Sequence, residues 1–235
     1  MPEAASPPPA RVVAAILPAA FLPFAGAVVY FDLFAGQSWA RWVYVLVKLF
    51  TLVWPLIAVP LLLGRRLPRV DWTRPAHRAA VAPGLAFGGL VIVATLGLMA
   101  TPLGELIAAH AERIRHKVTQ LGVLEHYLSF ALFLSVVHSA LEEYYWRWFL
   151  FGTLRRHLSL GVAVTLASLA FAAHHAVVLS QYFPLAWAAP LTLAVALGGA
   201  VWCLMYERQE SLVGAWLSHV LVDLAVLWVG YRLLF

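Results

Sequence analysis

An all-α, polytopic transmembrane bundle of about seven to eight spans is the fold class this sequence predicts, and three observations carry it. Of 235 residues, 63% are hydrophobic and only 11% charged, too little polar surface to cover a soluble globule. The mean hydropathy is +0.85. The apolar residues gather in runs at 12–34, 42–63, 82–101, 124–151, 159–179, 185–206 and 212–234. Each is near the roughly 20 residues that a helix rising about 1.5 Å per residue needs to cross hydrocarbon.

Residues 1–11 are rich in Pro and Ala and predict a disordered tail ahead of a single membrane domain, 12–235. Ala25-Gly26-Ala27 could end a cleaved signal peptide, but the apolar run continues through Val28, Val29, Tyr30 and Phe31, which favours a retained first span. Between the third and fourth spans, Gly104 to Gln120 sets Leu106, Ile107, Ile114 and Val118 among Glu105, His110, Glu112, Arg113, Arg115, His116 and Lys117. That alternation predicts one amphipathic helix lying at the interface, with a solvated charged face or a part in gating substrate entry. Trp39, Trp42, Trp72 and Tyr182 fit the aromatic belt. No internal repeat and no soluble domain is discernible.

The positive-inside rule sets the orientation. Arg65, Arg66, Arg69, Arg74 and Arg78 lie between the second and third spans, and Arg155 and Arg156 follow the fourth; both loops should be cytoplasmic. Seven spans then put the N-terminus inside and the C-terminus outside, with Arg113, Arg115 and Lys117 discordant on the outer side. An eighth span or a helix lying flat would ease that conflict. The net charge of +5 is thereby a matter of membrane orientation, and nothing else in the chain suggests nucleic acid as a partner. The single cysteine, Cys203, excludes an intrachain disulfide. Fourteen arginines against two lysines, with no asparagine, suggest a GC-rich coding sequence and hence a bacterial cell membrane.

Three of the last four spans carry polar insertions: Glu142, Glu143 and Arg147; then His174 and His175; then His219 and Asp223. Charge within hydrocarbon is costly, so such residues mark a functional site by default. Glu142 lies about ten residues before the cytoplasmic end of its span, His175 about fourteen to sixteen after the start of its own, and His219 about seven after the start of the last. At about 1.5 Å per residue the three fall roughly 10–24 Å from one boundary and can share a layer. Glu143 and Arg147 share a helical face, so the guanidinium can take that carboxylate in bidentate geometry and leave Glu142 for chemistry. His138 precedes Glu142 by one turn, Phe171 precedes His175, and Asp223 follows His219.

Glu142-Glu143-x-x-x-Arg147, then Phe171-x-x-x-His175, then His219-x-x-x-Asp223 resembles the three signature motifs of the CPBP intramembrane endopeptidases, which include the type II CAAX prenyl proteases. The resemblance covers about Phe130 to Val229, within a catalytic core of about 124–235. It implies a glutamic-type peptidase without cofactor that acts on a membrane-associated protein or peptide near its C-terminus, with the site nearer the cytoplasmic side. Glu142 would activate water, His175 would position it, Glu143 with Arg147 would hold the helix and tune the site, and His219 with residue 223 would stabilise the oxyanion. The family commonly has Asn where this chain has Asp223, and an ionised carboxylate cannot donate to an oxyanion. Asp223 must therefore be protonated or orient His219 as an acceptor. Prenylated substrates are characteristic of eukaryotes; bacterial relatives resemble enzymes of peptide maturation, self-immunity or C-terminal signal processing.

Other readings compete. Glu143 and Arg147 can be a structural pair, and His174, turned by about 100° from His175, reads as packed or hydrogen-bonded. His138 reads likewise, and Tyr144, Tyr145 and Trp146 read as packing or as a substrate path. Glu142, His175 and His219 could bind zinc and leave a position for water, although no His-Glu-x-x-His motif is present. A proton-coupled transporter would use the same residue types but calls for repeated, broken helices. A silent immunity or scaffold protein would not need Glu142, His175 and His219.

Overall fold

The computed structural model describes residues 7–69 and 71–235. Among these residues nine helices and no strand form. Seven are long and apolar enough to cross a membrane: α1 (Pro9–Leu33), α2 (Ser38–Leu61), α3 (Pro75–Met99), α6 (Leu124–His157), α7 (Leu160–Tyr182), α8 (Leu185–Gln209) and α9 (Val213–Leu234). Two short helices, α4 (Pro102–Ala108) and α5 (Ala111–Gln120), join α3 to α6. The seven spans correspond one to one with the seven apolar runs, so the all-α multi-pass bundle stands.

The ends differ from the sequence reading. Pro9, Ala10 and Arg11 already belong to α1, because proline is tolerated in a first helical turn. The expected tail is shorter by those residues, and 1–6 lie outside the described residues. Arg78 lies within α3, and Arg155 and Arg156 within the last turns of α6, rather than in loops. Backbone hydrogen bonding carries a helix past the point where its apolar run stops. The single helix expected over Gly104–Gln120 is two: His110 bonds back to the Leu106 carbonyl through Nδ1, at 2.9 Å, and α5 starts afresh at Ala111.

α5 explains the discordant cations. Residues two apart on a helix point to nearly opposite sides, and Arg113 and Arg115 reach two different helix ends. Arg113 donates to the Gln181 and Ser180 carbonyls of α7, both at 3.0 Å. Arg115 donates to the Leu234 carbonyl of α9. The last carbonyls of a helix lack backbone donors and carry its negative dipole end, so both contacts are favourable. At the opposite end of the bundle, Arg155 pairs with Glu207 at 2.8 Å and Arg74 with Glu210 at 3.5 Å. Burial there, with the Arg156 cation nearby, lowers Arg65 from its ordinary value.

Close backbone approach fixes α9 on α3. A Cβ on Gly84 would stand 2.5 Å from the Gly214 carbonyl oxygen and 2.9 Å from its Cα, and one on Gly88 would meet the Leu221 side chain at 2.6 Å. Ala80, Gly84 and Gly88 form one small-residue stripe at four-residue spacing, the device that lets membrane helices touch where no hydrophobic effect drives them together. α1 is tied differently. Pro23 has no N–H for the Ala19 carbonyl, and the Tyr145 hydroxyl of α6 donates to that carbonyl at 2.9 Å.

Candidate active site

α6 is not a uniform α-helix. It widens to i→i+5 bonding over Phe133–His138 and again over Glu143–Phe151, a distortion that recurs at functional sites. The second stretch buries Glu143, Tyr145, Trp146, Arg147, Phe149, Leu150 and Phe151, leaving out only Tyr144 and Trp148. Its surroundings are protein nearly all round, which is how two adjacent glutamates both come to be buried. Tyr144 stacks on Trp148 at 5.2 Å, and its hydroxyl donates to the Leu52 carbonyl of α2.

The two carboxylates have separate partners. Glu143 is fully buried; its Oε1 accepts from Nδ1–H of His219 at 2.8 Å and lies 3.1 Å from Nη1 of Arg147. Glu142 faces three imidazoles: Oε1 is 3.4 Å from Nε2 of His174 and 3.5 Å from Nε2 of His138, and Oε2 is 3.7 Å from Nε2 of His219. His175 completes this layer, with donor atoms of Glu142, His174 and His175 all within 4.8 Å of one another. Its Nδ1 lies 3.0 Å from the Phe171 carbonyl. A carbonyl only accepts, so Nδ1 carries the proton and Nε2 keeps a lone pair. Asp223, on the α9 turn after His219, has Oδ1 at 3.6 Å from His219 Nε2 and is partly exposed, unlike the buried His219.

Aromatic rings position these groups. The Arg147 guanidinium lies 4.3 Å from the Phe171 ring centroid and 4.7 Å from that of Trp202. His219 stacks on Trp202 at 4.1 Å, and His174 on Trp146 at 5.4 Å. The Trp202 indole N–H donates to Ser218 at 2.8 Å, which fixes the ring that carries both Arg147 and His219.

All seven residues singled out by the motifs therefore converge, but three details differ from the sequence reading. Arg147 meets only Oε1 of Glu143, and the second oxygen has no hydrogen-bond partner among the described residues, so the pair is not bidentate. The guanidinium is held between Phe171 and Trp202, and His219 shares the oxygen it does reach. The set of metal-type donors that lies within 4.8 Å is Glu142, His174 and His175, rather than Glu142, His175 and His219; His219 instead bridges the two carboxylates, with Nδ1 on Glu143 and Nε2 3.7 Å from Glu142. His174 is packed on Trp146 as expected, yet it also faces Glu142 directly. Trp146 and Trp202 carry no sequence signal beyond being aromatic, and only their inter-helix contacts give them a part.

Compared with known proteins, residues 124–225 match the family model described as type II CAAX prenyl endopeptidase Rce1-like. No curated protein and no solved structure matches the chain.

Proposed function

We propose that Glu142 is the general base of a glutamate-activated hydrolysis by an intramembrane endopeptidase, a reading supported by the similarity of residues 124–225 to the type II CAAX prenyl endopeptidase Rce1-like model. The bond cleaved would lie near the C-terminus of a membrane-associated protein or peptide. One observation carries this reading most: Glu142 is buried among histidines and has no cation of its own, whereas Glu143 is already engaged by Arg147 and His219.

A water with two hydrogen bonds of about 2.8 Å bridges atoms somewhat under 5 Å apart, and Glu142 and His175 offer atoms within 4.8 Å. Glu142 takes one water proton while the other points to the Nε2 lone pair of His175. The water oxygen bonds to the scissile carbonyl carbon, and the carbonyl π pair moves onto oxygen. Nδ1–H of His219 is given to Glu143, so Nε2 donates to that oxyanion only when the ring holds both protons. Asp223 flanks Nε2 and balances such a cation once Glu142 holds the water proton. The oxyanion then reforms the carbonyl, the C–N bond breaks, and the proton held by Glu142 passes to the leaving nitrogen. Asp223 thus acts as a carboxylate beside His219 and need not donate in place of asparagine.

A zinc reading draws on the cluster of Glu142, His174 and His175, where the Nδ1 bond of His175 to the Phe171 carbonyl is the kind of outer contact that orients a ligating imidazole. These residues could hold a metal that activates water. The metal-free reading is preferred because a metal on Glu142 leaves only Glu143 as base, and that carboxylate is committed. Stoichiometric zinc in active enzyme, with activity lost on chelation and restored by metal, would reverse the preference. We place the protein in a bacterial cell membrane, with the arginine-rich end cytoplasmic.

The test compares C-termini of membrane proteins by mass spectrometry in cells making wild-type chain or Glu142→Gln at equal level. Precursors that accumulate only with the variant support the assignment. Equal processing overturns Glu142 as base, and proton flux in liposomes without any cleavage would point to transport.

A further inference from the structure

Lys48 is the one charged residue of α2 beyond its first turn, and the chemistry above does not use it. It lies ten residues from Ser38 and thirteen from Leu61 within that span, about 15–20 Å of helix on either side. The nearest interfacial markers, Trp39 and Trp42, are exposed at the start of α2. Among the described residues Lys48 forms no ion pair; its only recorded polar-tip contact is with the Tyr44 ring, 5.4 Å from Nζ to the centroid. A cation left without an anion at this depth is costly.

The place where Lys48 sits suggests what neutralises it. A small cavity of about 20 Å³ between α1, α2 and α7 is lined by Lys48, Tyr44 and Thr51 on one side and by His174 on the other, with Pro23 beside them. The same His174 faces Glu142 through Nε2. The cavity therefore joins an unpaired cation to the proposed catalytic carboxylate through one imidazole. It holds a water-sized group such as a carboxylate oxygen.

We propose that Lys48 is the carboxylate-binding residue of the substrate site, taking a peptide carboxylate beside the Glu142 layer. A bound carboxylate would give Lys48 the counter-charge its span lacks. That charge is best supplied by a free C-terminus, which would set cleavage a few residues from the end of the substrate. The inference rests on the peptidase reading for its consequence, but carboxylate binding can be measured without turnover.

The probes are synthetic peptides with a twenty-residue apolar segment followed by four randomised residues, made as free acids and as C-terminal amides, each with and without an acidic side chain in the last four positions. Reconstituted full-length Glu142→Gln reports binding, and the wild-type chain reports cleavage. Wild-type-like Lys48 should favour free acids over amides about tenfold, the ratio expected from one charge-assisted hydrogen bond. Lys48→Met, which keeps the stem and removes an unpaired charge, should erase the preference while retaining binding of amides, and Lys48→Arg should keep it. Preference that follows the acidic side chain in amide peptides would assign the same lysine to a side-chain carboxylate. Equal binding of all forms, or a preference unchanged in Lys48→Met, overturns the proposal whether or not cleavage occurs. Lys48-dependent binding with no cleavage of any probe would keep the carboxylate site and count against the peptidase reading.

Discussion

The two histidine-bearing helices α7 and α9 reach the same polar layer by different means. α9 is pressed onto α3 through glycines, with Gly84 against the Gly214 backbone and Gly88 under Leu221, so His219 is placed by backbone proximity. α7 is placed by rings, through Phe171 against Arg147 and His174 against Trp146. A backbone contact admits no added atom, whereas a ring contact tolerates a change of chemistry if shape is kept. Both helices end beneath an arginine of α5, so the sharpest contrasts between them lie at mid-span.

The largest effect should come from the residue that serves both. Arg147→Met removes the cation stacked on Phe171 and leaves Glu143 buried without it, and should cost about 3–5 kcal/mol in thermal or denaturant unfolding of the purified protein. The double change Glu143→Gln/Arg147→Met should recover much of that loss; if it does not, stacking rather than charge dominates. Next, His219→Ala should lower kcat by about 10²–10³, the cost of one oxyanion donor. His174→Phe, which preserves a ring on Trp146, should retain more activity; the reverse order would make α7 the source of the donor. A third test presses on the glycine contact: Gly84→Leu should destabilise by about 1–3 kcal/mol through overpacking and lower activity by displacing His219 from Glu143. If stability falls and activity per folded molecule is unchanged, α3 does not position the site. The smallest effects belong to α5, where Arg113→Gln and Arg115→Gln should each cost about 0.3–1 kcal/mol in melting experiments. Additivity of the two would fit caps on separate helices.

Much of this site was legible in advance because helical periodicity is a local property. Glu143 and Arg147, His219 and Asp223, and Phe171 and His175 are each four apart, and each pair meets in the structure. Contacts between helices were not legible in the same way. Glu143 was read as belonging to Arg147, but His219, 76 residues away, holds the same oxygen. In sequence His174 reads only as packed or hydrogen-bonded, about 100° round from His175, because spacing along one helix does not say that α6 faces α7 broadly enough to reach two consecutive histidines.

The sequence by itself determined seven membrane spans and the polar residues that three of them carry, since hydrocarbon thickness and the cost of buried charge act on each segment separately. Tertiary structure decided the widened backbone of α6, the contact of His219 with Glu143, the donor set around Glu142, and the break that turns α5 toward two helix ends. Those depend on register and distance between helices, which packing of glycines and aromatic rings sets only when the spans come together.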